Sequence, residues 1–222
     1  GGRLRLVTLS NAYLMLAVPL GLIYLQPDLG TMLVFVAIGM GVLLVAGAQL
    51  KHIFVTTVIG IIVVVAVFNS DNLGGPELLR ESQEQRLTAF LDPGFDVRGA
   101  SYNINQSQIA IGAGGFRGQG WLQGTQTNLN LVPEQETDFI FTALGEEFGF
   151  VGVTLLLLLY AYMLARIWFI ARASNDLFGA FACVGALSMF TFQIFQNIGM
   201  TMGLMPITGI PLPFLSHGGS ST

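Results

Sequence analysis

The sequence predicts an all-α polytopic membrane protein with at least five transmembrane helices and one long extracellular loop that carries short interfacial helices. Three observations predict it. Residues AVILMFWYC make up 53% of the 222 positions and DEKR only 10%, where an ordinary soluble domain carries about 25% charged residues; the mean hydropathy is +0.68. The charges are also clumped: residues 29–50, 53–68, 148–165 and 177–222 contain no Asp, Glu, Lys or Arg, and about 20 apolar residues span a bilayer core. Finally, the basic residues of the short loops alternate along the chain as the positive-inside rule requires.

Taken in order, the apolar stretch Leu6–Leu25 is the first predicted span, with Arg3 and Arg5 before it on the cytoplasmic side. Gln26-Pro27-Asp28 closes it on the outer side. Pro27 stops one helix and Asp28 is well placed to cap the next, a structural role favoured over a chemical one. Residues 29–50 form the second span, and Lys51 with His52 returns the chain to the cytoplasmic side. Ile53–Phe68 forms the third when residues to Leu73 extend it. Residues 148–165 form the fourth, Arg166 and Arg172 lie inside, and the run from Leu177 forms the fifth.

Residues 69–137 then fall on the extracellular side as a single loop, long enough to imply function. It holds four arginines (Arg80, Arg86, Arg98, Arg117) against eight acids. Pro76–Leu91 reads as an interfacial helix, Asp92-Pro93-Gly94 as a turn, and Ser101–Ile111 as a second short helix. Gly112–Gly120 contains five glycines and 121–131 is rich in amides. At the far end, residues 203–222 hold four glycines and three prolines (Pro206, Pro211, Pro213). Such backbone is tolerated at membrane depth only inside protein or beside a water-filled cavity, so a cavity on the outer side is expected there. The whole chain reads as one integral-membrane domain, and as part of a longer one, because it opens Gly1-Gly2-Arg3 and stops inside a loop at Ser220-Ser221-Thr222. With a net charge of −4 there is no nucleic-acid-binding patch. Cys183, the single cysteine, supports neither a disulfide nor a thiolate metal site.

Polar groups inside the apolar runs are expensive, and each asks for a partner. Gln193 and Asn197 are four apart on one helix face, with Gln196 beside them, and helix–helix hydrogen bonding is favoured over substrate contact. Asp138, after Pro133-Glu134-Gln135-Glu136-Thr137, stands at the first turn of an apolar helix. Stabilisation by the helix dipole and service as a base at the membrane boundary are evenly balanced readings. Glu146 and Glu147 follow two turns on. A straight helix would carry them about 12 Å deeper, which is costly for adjacent carboxylates. Gly145 and Gly149 are therefore expected to break the helix, leaving 138–144 as a short interfacial piece and starting the span near Phe148.

Together these residues resemble the SEDS family, whose members include RodA and FtsW. The segments that carry the likeness are Gln26-Pro27-Asp28-Leu29-Gly30-Thr31, Gln106-Ser107-Gln108-Ile109-Ala110-Ile111-Gly112, Gly124-Thr125-Gln126, Pro133-Glu134, Thr137-Asp138-Phe139-Ile140-Phe141, Gly145-Glu146-Glu147-Phe148-Gly149, Asn197-Ile198-Gly199-Met200 and Gly209-Ile210-Pro211-Leu212-Pro213-Phe214. They run over nearly the whole chain, in order and at family spacing. Gly124-Thr125-Gln126 and the 209–214 segment are more similar to the RodA branch. The resemblance aligns this chain with the family's fifth to ninth transmembrane helices and the loop towards the tenth. One departure is His217, where the family usually carries Tyr.

The resemblance implies a bacterial plasma-membrane peptidoglycan glycosyltransferase. Such an enzyme polymerises lipid II into β-1,4 glycan strands and releases undecaprenyl pyrophosphate during cell-wall elongation, cell-shape control and cell division. It maps the family's essential aspartate onto Asp138. Inverting transfer of this kind needs one carboxylate base, and its leaving group needs Arg or a divalent cation such as Mg or Mn. Arg117 is the candidate for that contact, weighed evenly against an exposed loop arginine. Gln123, Thr125 and Gln126 are candidates for sugar or peptide contacts, or for satisfying the loop's own backbone; Glu134, Glu146, Glu147 and His217 join the expected substrate-binding set. The family's class B penicillin-binding partners imply a docked transpeptidase, for which 148–170 and 177–202 are plausible surfaces. Two other functions compete: a lipid II flippase and a membrane scaffold for that transpeptidase. A flippase needs polar lining at mid-membrane, whereas here the polar density lies at the outer surface.

Overall fold

Long charge-free runs leave the backbone one way to satisfy its own hydrogen bonds without water, and the computed structural model, which describes residues 6–26, 28–68, 86, 88, 90, 99–128 and 137–217, is helical over most of them, with turns and irregular backbone between and after the helices. Among the described residues seven helices follow one another: α1 (Leu6–Leu25), α2 (Leu29–Val45), α3 (Leu50–Phe68), α4 (Ala100–Gly114), α5 (Thr125–Asn128), α6 (Ile140–Ala173) and α7 (Leu177–Thr201). At 34 and 25 residues, α6 and α7 are long and apolar enough to cross a bilayer. Their most apolar windows are only 17% and 11% buried, so they are not core helices of a water-soluble protein. The shorter α1, α2 and α3 are apolar too. The expected interfacial helix and turn at 76–94 lie outside the described residues except at Arg86, Thr88 and Phe90, which have helical backbone.

The chain divides into two units. The first comprises Gly1–Glu84 and Ile167–Met189. Here α2 begins as the sequence predicts: Asp28 accepts a hydrogen bond from the Thr31 amide at 3.0 Å and another from its hydroxyl. Loss of that cap in Asp28→Ala is expected to cost about 1 kcal/mol, read as a lowered thermal unfolding midpoint. The helix ends at Gly47, whose φ of 91° lets Ala48 N donate to Leu43 O at 3.0 Å. A Cβ on Gly41 would overlap the Ser188 hydroxyl, and one on Gly185 would stand 3.6 Å from Ile38. Small residues thus let α2 and α7 approach closely, as membrane helices do. The Tyr13 hydroxyl joins Thr56 Oγ1 at 2.7 Å and ties α1 to α3.

The second unit comprises Gln85–Arg166 and Phe190–Thr222. Its cores are Ile104, Phe139, Met200 and Ile207, and a larger cluster built on Phe141, Leu156, Tyr160, Ile194 and Leu212. Between α4, α6 and α7 runs a buried polar link in which the Ser107 hydroxyl meets the Thr142 hydroxyl and donates to Thr201 O at 2.8 Å. The Pro/Gly-rich segment after α7 is irregular, as its composition predicts, and its carbonyls are met by side-chain donors. Gln108 Nε2 donates to Met202 O, Gln196 Nε2 to Pro206 O, Asn197 Nδ2 to Ile210 O and the Tyr160 hydroxyl to Pro213 O, all at 2.7–2.9 Å. Irregular backbone is therefore satisfied within protein. The second loop helix was expected over Ser101–Ile111 and extends over Ala100–Gly114.

Candidate active site

Asp138 lies in the turn that leads into α6. Its neighbour Phe139 is 2% exposed and sinks into the smaller core, so the aspartate is carried on an anchored backbone. The main-chain carbonyl of Asp138 accepts from Asn197 Nδ2 at 2.9 Å, and the same nitrogen donates to Ile210 O at 2.8 Å. One fully buried amide thus holds α7, the start of α6 and the 206–213 segment in register. The helix–helix partner expected for Asn197 is in fact two loop carbonyls.

Beside the carboxylate stands Gly209, with φ 71°. A Cβ there would lie 3.4 Å from Asp138 Oδ2 and 3.8 Å from Arg86 Nη1. Carboxylate and guanidinium therefore border one gap, kept open because residue 209 has no side chain. Arg86 and Gly209 were not among the residues singled out from sequence. Arg86 counted only as one of four loop arginines, and nothing local to it indicates Asp138, 52 positions away.

Glu146 and Glu147 depart from expectation. The helix does not break at Gly145: it continues to Phe148 and kinks at Gly149, where φ is 63° and ψ −159°. Glu146 is fully buried. Its carboxylate accepts from Gln126 N at 2.8 Å, Thr127 N at 2.9 Å, the Thr125 hydroxyl at 3.3 Å and the Thr127 hydroxyl. The cost of burying this charge is met by donors from the loop rather than avoided by ending the helix. Glu146 therefore serves the chain's own loop. Gly124 must be small, since a Cβ would come 2.7 Å from Glu146 Oε2.

The kink has a second consequence. Opening the helical ladder at Gly149 frees the carbonyls of Glu146 and Glu147 and the amides of Phe150 and Val151. The glycine turn captures all four: Gln119 N donates to Glu146 O, Gly120 N to Glu147 O, Phe150 N to Gly115 O and Val151 N to Phe116 O, at 2.9–3.2 Å. A side chain on Gly118 or Gly149 would overlap the opposing backbone.

The structure thus gathers Asp138, Arg86, Gly209 and Asn197 at one place, and Glu146, Thr125 and Gln126 at another. Gln126 Oε1 is buried with no hydrogen-bond partner among the described residues. Glu147 is buried, Arg117, Gln123, Thr125 and His217 are exposed, and Gln193 is half-buried. Glu134 lies outside the described residues.

With this geometry in place, comparison with known proteins is informative. The cell cycle protein family model FTSW_RODA_SPOVE matches residues 3–222. Peptidoglycan glycosyltransferase MrdB of Escherichia coli K12 is 41% identical over 213 residues, 95% of this chain and 55% of that protein. Stage V sporulation protein E of Bacillus subtilis is 43% identical, over 90% of this chain and 52% of that protein. The chain spans about half the length of these curated relatives. Among solved structures, a chain from a peptidoglycan synthase complex that coordinates polymerization and crosslinking matches at TM-score 0.78 and 32% identity, over all of this chain and 59% of that one. An aspartate-to-alanine mutant of Thermus thermophilus rod shape determining protein RodA matches at TM-score 0.61 and 28% identity, covering 99% and 53%.

Proposed function

This chain belongs to the FtsW/RodA/SpoVE family of cell cycle proteins, and on that premise we propose that it is the part of a peptidoglycan glycosyltransferase that carries the catalytic base. The substrate is lipid II, the product a β-1,4 glycan strand, and the leaving group undecaprenyl pyrophosphate. The observation that carries the proposal is the gap shared by Asp138 and Arg86 over Gly209. The relatives' names as peptidoglycan glycosyltransferases support it.

In this reading the Asp138 carboxylate takes the proton of the acceptor sugar's hydroxyl as that oxygen attacks the anomeric carbon of the donor. The bond from that carbon to the pyrophosphate breaks, and its electron pair leaves on the phosphate oxygen. Arg86, on the same gap, is placed to meet that developing charge; the exposed Arg117 remains a second candidate. Asn197 acts through Asp138, keeping the carboxylate's backbone in register. Among the described residues no group of three or more His, Cys, Asp or Glu could hold a metal ion. A divalent cation, when bound, would offset the charge of the substrate's phosphates.

We place the protein in the bacterial plasma membrane, with α1, α2, α3, α6 and α7 each spanning it and with residues 69–137 and 203–222 on the outer side. A class B penicillin-binding protein is the proposed partner, supported by the likeness to a synthase complex. The test is a paired assay on the full-length polypeptide that carries this sequence. Purified protein is expected to build glycan from lipid II in detergent, where no bilayer exists to be crossed. Absence of polymer, combined with lipid II translocation in vesicles, would assign the polar groups to a flippase instead.

A further inference from the structure

The glycine turn at 115–122 is a rigid platform that holds apolar side chains outward. Four main-chain hydrogen bonds fasten it to the kink in α6, and Gly115, Gly118 and Gly120 take φ values of 53°, 79° and 108° to make the fit. Leu122 adopts φ 58°, a backbone conformation uncommon for a residue with a side chain. Yet Phe116, Trp121 and Leu122 are 68%, 66% and 65% exposed. Facing water, a preformed cluster of this kind would be a liability, and such patches mark interaction surfaces.

The patch is continuous with the exposed apolar face of α6. Phe116 stacks on Phe150 with ring centroids 5.8 Å apart, and Trp121 leans on Phe148 at 5.5 Å. Phe150, itself largely exposed, is followed along α6 by the exposed Val151, Leu155 and Leu158, the surface a spanning helix presents to acyl chains. The patch is therefore the end of the lipid-facing surface of α6. Its composition, a Trp among apolar side chains with an exposed Arg117 in the same turn, is that of the water–lipid boundary.

We propose that this turn is a membrane-interface anchor whose occupant is the phospholipid bilayer: Phe116, Trp121 and Leu122 enter the headgroup–acyl boundary and fix the turn at that depth. The anchor holds the loop that leads to the Glu146-bound residues 125–127 at the level of the phospholipid headgroups. The proposal stands independently of the reaction assigned above.

The experiment places p-benzoylphenylalanine at position 121, and separately at 116, in the full-length polypeptide, and irradiates native membranes. Either ring substitution keeps an aromatic body at an exposed site, so folding is preserved. The expected result is that most of the modified peptide carries a covalent phospholipid acyl chain at both positions, read by mass spectrometry. Adducts to polypeptide alone would assign the patch to a protein contact, and recovery of the unreacted label, which relaxes unchanged in water, would show it facing water. Either result overturns the anchor.

Discussion

Asp138→Asn in the full-length polypeptide is expected to lower glycan polymerisation from lipid II by about 10²–10⁴-fold, the usual contribution of a positioned general base. Asparagine matches the volume of aspartate and keeps the main-chain carbonyl that Asn197 holds at 2.9 Å. The unfolding midpoint and membrane insertion should therefore stay close to the parent's. What disappears is the ability to accept the hydroxyl proton at the gap bordered by Arg86. Because the base acts in the transition state, the loss should fall on kcat, with KM little changed.

Glu146→Leu is expected to have the largest structural effect. It removes the acceptor for two main-chain amides, Gln126 N and Thr127 N, and for two threonine hydroxyls. A buried donor left unpaired costs about 1–3 kcal/mol, so the two amides alone account for roughly 2–6 kcal/mol, less whatever water recovers. The expected readout is loss of hydrogen-exchange protection at Gln126 and Thr127, while α7 keeps its own. Glu146→Gln retains one acceptor oxygen and should fall between. Unaltered protection of those amides in the leucine variant would show that the loop is held by something else.

The legible and illegible parts of the molecule divide by how far apart in sequence the interacting groups lie. Helices α1, α2, α3, α6 and α7 could be read because an apolar helix is a local property: a run of apolar residues, ended where charge or proline appears. The Asp28 cap was equally local, reaching three residues to Thr31. Glu146 misled for the opposite reason. Within its own helix it is a carboxylate too deep to tolerate, so a break at the flanking glycines was expected; its donors lie twenty residues earlier, on a loop whose path the local pattern does not reveal. Gly149 does interrupt the helix, but to open the ladder for the glycine turn rather than to lift the glutamates out.

Asn197 shows the same limit in milder form. Its helical spacing called for a buried partner, and the residue is indeed fully buried. The partners, however, are carbonyls 59 and 13 positions away. Arg86 and Gly209 gain meaning only once the fold sets them beside Asp138. The aspartate itself stood out from two directions, its place before an apolar helix and the family motif around it.

The proposed base is the ionised Asp138 carboxylate, which removes the proton from the attacking sugar hydroxyl. The most direct test is the pH dependence of kcat/KM for lipid II polymerisation, measured in parallel on the full-length parent and Asp138→Asn. The parent's rate should fall as pH is lowered and that carboxylate takes up a proton, and the same acid limb should be missing from the residual rate of the variant. An acid limb common to both proteins, or a variant as fast as the parent, would contradict it.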